Sequence, residues 1–149
     1  MSSKIIRDAL ALTAITLVSG LALGAVYGIT KEPIARQEEL AKQEAYQEVF
    51  PEAEQFQTVT LDEELSGQIR SGLDEAGYTQ DSIQEVTEAL DDEGQRLGYA
   101  ITVLTTAGYG GEIQFSMGVS LDGTVNGISF LSISETAGLG MKADTEEFR

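Results

Sequence analysis

The chain has no cysteine, no histidine and no tryptophan, and only two prolines in 149 residues. Without cysteine there is no disulfide, no thiolate zinc site and no cysteine-held iron–sulfur cluster. Without histidine the usual haem ligand, the Ser-His-Asp triad and the commonest general base are all missing. A soluble hydrolase is left with almost nothing to work with. Positive charge is also scarce: 9 Lys and Arg face 25 Asp and Glu, for a net charge of −16. Phosphate contacts need cations, so nucleic acid is not a partner of this surface. The acids are spread along the chain, which reads as a solvated, self-repelling surface.

What is present begins with a long apolar run. Residues 9–29 are 21 consecutive residues without a charge. At about 1.5 Å per residue such a helix spans roughly 30 Å, the thickness of a hydrocarbon core. The run exceeds a typical signal-peptide core and has no clean Ala-x-Ala closure, so it reads as a retained anchor. Gly20, Gly24 and Gly28 repeat at helical spacing. They read either as a close-packing face for partner helices or as ordinary glycine tolerance in a membrane helix. Lys4 and Arg7 flank one end and Lys31, Arg36 and Lys42 the other, which leaves the positive-inside count ambiguous. The short residues 1–8 and the large acidic remainder favour the tail inside and the domain outside.

Residues 33–50 read as a second helix, a stalk, with Ile34, Ala41, Ala45 and Val49 on one stripe and Pro51 as its stop. Glu38 and Lys42 are spaced as an i,i+4 pair. Residues 56–61 suggest a short strand, 62–77 a short helix or loop, and 83–90 a strand. Asp91, Asp92, Glu93 and Gly94 form a turn; they lack the spacing of a calcium loop. Residues 97–103 alternate, and 113–121 alternate without a fault. Asp122-Gly123 is a strong hairpin signal. Residues 125–133 are apolar on both faces (Ile128 and Phe130; Val125, Leu131 and Ile133), which predicts cover on both sides. The expectation is an α+β fold: a single amino-terminal transmembrane helix, a helical stalk, then an antiparallel sheet domain with helices.

The chemistry-bearing stretch is 134–140, Ser-Glu-Thr-Ala-Gly-Leu-Gly. It puts the Glu135 carboxylate and the Thr136 hydroxyl at a strand end, before a glycine-rich turn. A tight turn between two elements explains the same residues. Hairpin logic places Gly110 and Gly111, which open the penultimate strand, beside Glu135 and Thr136, which follow the last one.

Three patterns then agree in order and spacing: Gly108-Tyr109-Gly110-Gly111, Asp122-Gly123, and Glu135-Thr136-Ala137-Gly138-Leu139-Gly140. Together they resemble the FMN-binding domain family, whose members include the G subunit of Rnf-type ion-translocating electron transport complexes and the C subunit of Na⁺-translocating NADH:quinone reductases. The resemblance is good over 94–140 and one of layout before that. Ala137 stands where the family usually has proline. The resemblance implies a membrane-anchored flavoprotein subunit that relays electrons through FMN, with integral-membrane partner subunits. It also implies residence in the cell (inner) membrane with the main domain on the extracytoplasmic side. Glu135, Thr136, Gly138, Leu139, Gly140, Gly110 and Gly111 would line the flavin, with no catalytic side chain and no metal. The implied layout is 1–8 tail, 9–29 transmembrane helix, 30–51 stalk and 52–149 flavin domain. The rival is a membrane-tethered extracellular binding or sensor domain with no redox role.

Residues 144–147, Asp-Thr-Glu-Glu, have the form of a capping box, which predicts a helix cut short within the element. In the family the flavin is bonded through a Ser-Gly-Ala-Thr motif beyond this point. No such motif occurs in these residues. The covalent attachment therefore cannot be carried over, and Thr136 is not its counterpart.

Overall fold

The structure, a computed structural model, describes residues 2–145. It divides into two compact units, Met1–Leu40 and Ala41–Arg149.

The first unit is helical. Helix α1 runs over Ser2–Val49 without interruption, carrying Pro33 inside it. The expected break between an anchor and a separate stalk does not occur. A proline removes one backbone donor and strains one turn, and the helix continues through it. The apolar side chains of this unit, such as Leu21, Leu23 and Ile29, are exposed. By length and composition the helix can cross a membrane. Its hydroxyls are turned inward: Thr13, Thr16 and Thr30 donate to the carbonyls of Ala9, Leu12 and Val26, each at 2.9 Å. That suits a helix surrounded by hydrocarbon, where a free hydroxyl has no water to bond. Nothing lies within 4 Å of the space a side chain would take at Gly20, Gly24 or Gly28.

The second unit is a five-stranded antiparallel meander in the order β1-β2-β3-β4-β5. The strands are β1 Gln55–Thr58, β2 Asp81–Leu90, β3 Arg96–Thr105, β4 Ile113–Ser120 and β5 Val125–Ile133. Helix α2, Glu63–Glu75, lies between β1 and β2, capped by Asp62, whose side chain accepts from the Leu65 amide at 2.8 Å.

Ala45, Tyr46, Val49 and Phe50, near the end of α1, form the core of this unit together with Ala53, Ala89 and Ala100. The sheet face beneath them is built from small residues. A methyl group added at Gly118 would stand 2.8 Å from Val49 Cβ, and one at Gly98 would stand 2.7 Å from Phe50 Cζ. The same interface carries a row of polar groups. Glu85, Thr102, Ser116 and Ser129 are in register across β2 to β5. Lys42 binds Glu85 at 2.6 Å, Tyr46 Oη lies 3.1 Å from Thr102 Oγ1, Thr102 lies 3.2 Å from Ser116, and Ser129 donates to Glu48. Lys42 thus pairs with Glu85 of the sheet. Of the expected helix stripe, Ala45 and Val49 are buried, whereas Ile34 and Ala41 are exposed.

Large apolar residues occupy the opposite sheet face. Ile101, Met117 and Ile128 are in register there, as are Val103, Phe115 and Phe130. They are only half-buried among the described residues. The expectation that β5 is covered on both faces is therefore not met: Ser129 is its one buried residue. Glu146 and Glu147 of the expected capping box lie outside the described residues; Asp144 ends a short 3-10 turn, Gly140–Asp144.

Candidate functional site

Pairing of Ile113 with Ile133 sets the start of β4 against the end of β5. The loop before β4 and the loop after β5 therefore meet at one end of the sheet, as the hairpin logic requires. Glu135 is the point on which they close. Its Oε1 accepts from the Gly110 amide at 3.2 Å. A methyl group at Gly108 would come within 2.9 Å of Glu135 Oε1, and one at Gly140 within 2.7 Å of Glu135 Cβ. At Gly110 it would strike the Ser134 carbonyl, and at Gly111 it would stand 3.1 Å from Ser134 Cβ. These glycines are required first by the approach of the two loops to each other. Any ligand would meet a frame already locked by the carboxylate.

The turn beyond Glu135 is open. Gly138 has φ +79°, a left-handed conformation that disfavours a side chain. The Thr136 carbonyl accepts from the Leu139 amide at 3.1 Å and from the Met141 amide at 3.4 Å, and Lys142 N donates to the Leu139 carbonyl at 3.0 Å. Thr136, Ala137 and Gly138 are exposed, and Leu139 is 72% exposed. Tyr109 is 98% exposed between two glycines that are themselves pinned. Sequence reasoning used Tyr109 only as part of a motif. Its signal was an aromatic residue set in a glycine loop.

All seven sequence-predicted residues thus fall in one loop cluster. The cluster offers the half-buried Glu135 carboxylate, the exposed Thr136 hydroxyl and the exposed Leu139, with Ser134, Tyr109 and Glu112 exposed in the same loops. Lys142 is an exposed cation just beyond the turn. Nothing in the cluster is arranged as a nucleophile with its base.

A cavity of about 490 Å³ lies at the other end of β4 and β5, lined by Glu48, Val49, Phe50, Pro51, Glu52, Leu97, Ser120 and Asn126. Its polar atoms are engaged in holding the end of α1: Asn126 Nδ2 donates to the Val49 carbonyl at 3.3 Å, and Ser120 Oγ to Asn126 Oδ1 at 2.7 Å.

Two known families match the chain. The RnfG N-terminal region matches residues 1–49, and the FMN-binding domain matches residues 108–148. The chain is similar to the G subunit of the Na(+)-translocating ferredoxin:NAD(+) oxidoreductase complex of Acetobacterium woodii, 31% identical over 90% of this chain and 62% of that one. It is also similar to the G subunit of the ion-translocating oxidoreductase complex of Vibrio cholerae, 28% identical over 97% of this chain and 65% of the relative. The corresponding protein of Methanosarcina acetivorans is 27% identical over 99% and 72%. The chain thus spans 62% and 65% of the length of the first two of these relatives. The FMN-binding match contains the whole of the loop cluster just described.

Proposed function

Taking as premise that the chain resembles the G subunit of ion-translocating oxidoreductase complexes, we propose that it is a membrane-anchored flavoprotein subunit that relays electrons through FMN. The observation that carries this reading is the meeting of two glycine-rich loops on Glu135, inside the segment that matches an FMN-binding domain. The residues fit the ring end of a flavin. Glu135 and its glycine neighbours make a pre-formed frame, and the exposed Thr136, Gly138 and Leu139 beside it offer a hydroxyl, open backbone and an apolar side chain. They fit the phosphate end less well, since among the described residues Lys142 is the one cation in the segment after this turn and a single exposed lysine contributes little.

FMN supplies the redox chemistry when bound, accepting and passing on electrons one or two at a time. The chain's own part is to hold and orient. Thr136 presents a hydroxyl, the 138–140 backbone allows close approach, and Glu135 fixes both loops through Gly110. Helix α1 anchors the subunit in the cell membrane with the acidic domain on the extracytoplasmic side. Its partners are the integral-membrane subunits of the complex, met along Gly20, Gly24 and Gly28.

The test uses the protein isolated with its membrane complex. Thr136→Ala and Gly138→Val should disturb the flavin spectrum or its occupancy, because one removes a hydroxyl and the other blocks backbone approach. A flavin whose spectrum and occupancy are untouched by both would remove these residues from the site. An isolated protein with no flavin would favour a tethered binding domain.

A further inference from the structure

Among the described residues, Tyr109 is the most exposed large apolar side chain of the acidic unit, at 98%, and Leu139 follows at 72%. Mobile aromatic side chains on slack loops are commonplace, but these loops are not slack. Gly108 and Gly110 flank Tyr109, and both stand against Glu135 or Ser134 too closely to admit a methyl group. Gly140, next to Leu139, is held against Glu135 in the same way. Two apolar side chains are therefore presented to solvent from a rigid frame. Their desolvation by a partner would carry little cost in loop ordering. Rigid, solvent-facing aromatic residues are the usual anchors of protein interfaces.

The surroundings set the kind of partner. Nearly all the acidic residues of the chain lie beyond residue 40. Among the described residues of these loops and the turn that follows, Glu112 is exposed, Glu135 and Asp144 are half-exposed, and Lys142 is the opposing charge. A field of this sign repels anionic lipid and nucleic acid and attracts cationic surfaces.

We propose that Tyr109 and Leu139, presented by the two loops that close on Glu135, form a docking surface for a protein partner with an apolar patch ringed by lysine or arginine. The apolar pair fixes position, and the acidic field speeds encounter and weakens with salt. Docking here would bring the partner to the edge where the flavin is placed above. That redox meaning rests on the flavin reading; the docking itself does not.

The experiment uses the full chain in detergent, without flavin, and a fluorescent peptide of alternating lysine and phenylalanine as probe. A peptide with glutamate for lysine is the control. Anisotropy should show binding of the cationic peptide that falls roughly tenfold between about 0.05 and about 0.3 M salt, and none of the anionic one. Tyr109→Ser and Leu139→Ser should each weaken it about fivefold or more, and Tyr109→Phe should preserve it. Leu121→Ser changes an equally open side chain, 63% exposed, at the far hairpin, and should leave binding unchanged. These side chains are in solvent, so the thermal melts should coincide. Equal binding by Tyr109→Ser and the unaltered chain, equal loss in Leu121→Ser, or no binding of the cationic peptide would overturn the proposal. Flavin content is measured separately on Tyr109→Ser, which lies outside the residues assigned to the flavin, so failure of docking and failure of the flavin reading are told apart.

Discussion

Glu135 shows how one side chain can organise a region that sequence marks only as glycine-rich. The sequence places Gly110 beside Glu135 through strand pairing, and the structure joins them at 3.2 Å. What pairing logic does not reveal is the direction of need. Glycine at 110 and 111 is expected to let the neighbouring loop approach and glycine at 140 to admit a ligand, whereas Gly108, Gly110 and Gly140 all stand against Glu135 or Ser134. That contact depends on loop curvature, which no period in the sequence encodes. Removal of the carboxylate should therefore loosen both loops. Glu135→Ala should speed amide exchange at Gly110 and lower stability by about 1 kcal/mol, the worth of a hydrogen bond to a charged group at a part-exposed site. Glu135→Gln keeps an acceptor and should lie between. Unchanged exchange at Gly110 in Glu135→Ala would deny the carboxylate this role. Gly140→Ala should be worse than either, because its methyl group meets the Glu135 Cβ as well as the carboxylate tip, each at 2.7 Å.

At the scale of elements, the strands and the amino-terminal helix were legible, but the sheet face that takes the end of α1 was not. Alternation and turn signals predict the five strands in their meander order, and β4 stands where its pattern demands. The sequence carries no hint that the small-residue face of the sheet would take the end of α1, while the large apolar residues face away. Apolar alternation identifies a buried face by residue type, and here Thr102 and Ser116 are fully buried through hydrogen bonds instead. Likewise Pro33 suggested a boundary that tertiary and helical continuity override. Gly118→Val should drive a side chain into Val49 and cost about 2 kcal/mol or more, read as a fall in melting temperature. Tyr46→Phe should cost about 1 kcal/mol by removing one hydroxyl from the buried row.

The Lys42–Glu85 pair across this interface adds a pH dependence. Burial pushes the Glu85 carboxyl up, but hydrogen bonds from Lys42 and Thr58 and the Lys42 charge outweigh it and hold the group below the ordinary value of 4.5. A carboxyl lowered in the folded state binds its proton less readily there than in the unfolded chain. Its contribution is therefore present above the unfolded value near 4.5 and is lost as pH falls through the lower folded one. The difference in melting temperature between the unaltered chain and Glu85→Gln should be constant above that value and shrink as acid is added below it. A difference that grows with acid would contradict the sign.

For the whole molecule, composition was the surest guide. Missing histidine and cysteine remove most catalytic chemistries. The long apolar helix and the acidic sheet unit were both readable from charge alone. Strand pairing sets the half-buried face of Ile101, Met117, Ile128, Val103, Phe115 and Phe130. Apolar surface of this extent favours association. A soluble fragment over residues 41–149 should bind a hydrophobic dye and self-associate as concentration rises; a monomer that leaves the dye dark would show the face to be closed. The membrane reading is checked by alkaline washing, which should leave the full chain in the membrane fraction.

The central claim is that this sequence works as a membrane-anchored FMN carrier within a larger complex. Its most direct test is to purify the protein from its own membranes with its partners attached, denature it, and record intact mass and in-gel flavin fluorescence together. The account predicts one FMN that travels with this subunit, with no covalent flavin on residues 1–149. A subunit with no flavin would contradict the function, and an FMN bonded within these 149 residues would contradict the placement of the site.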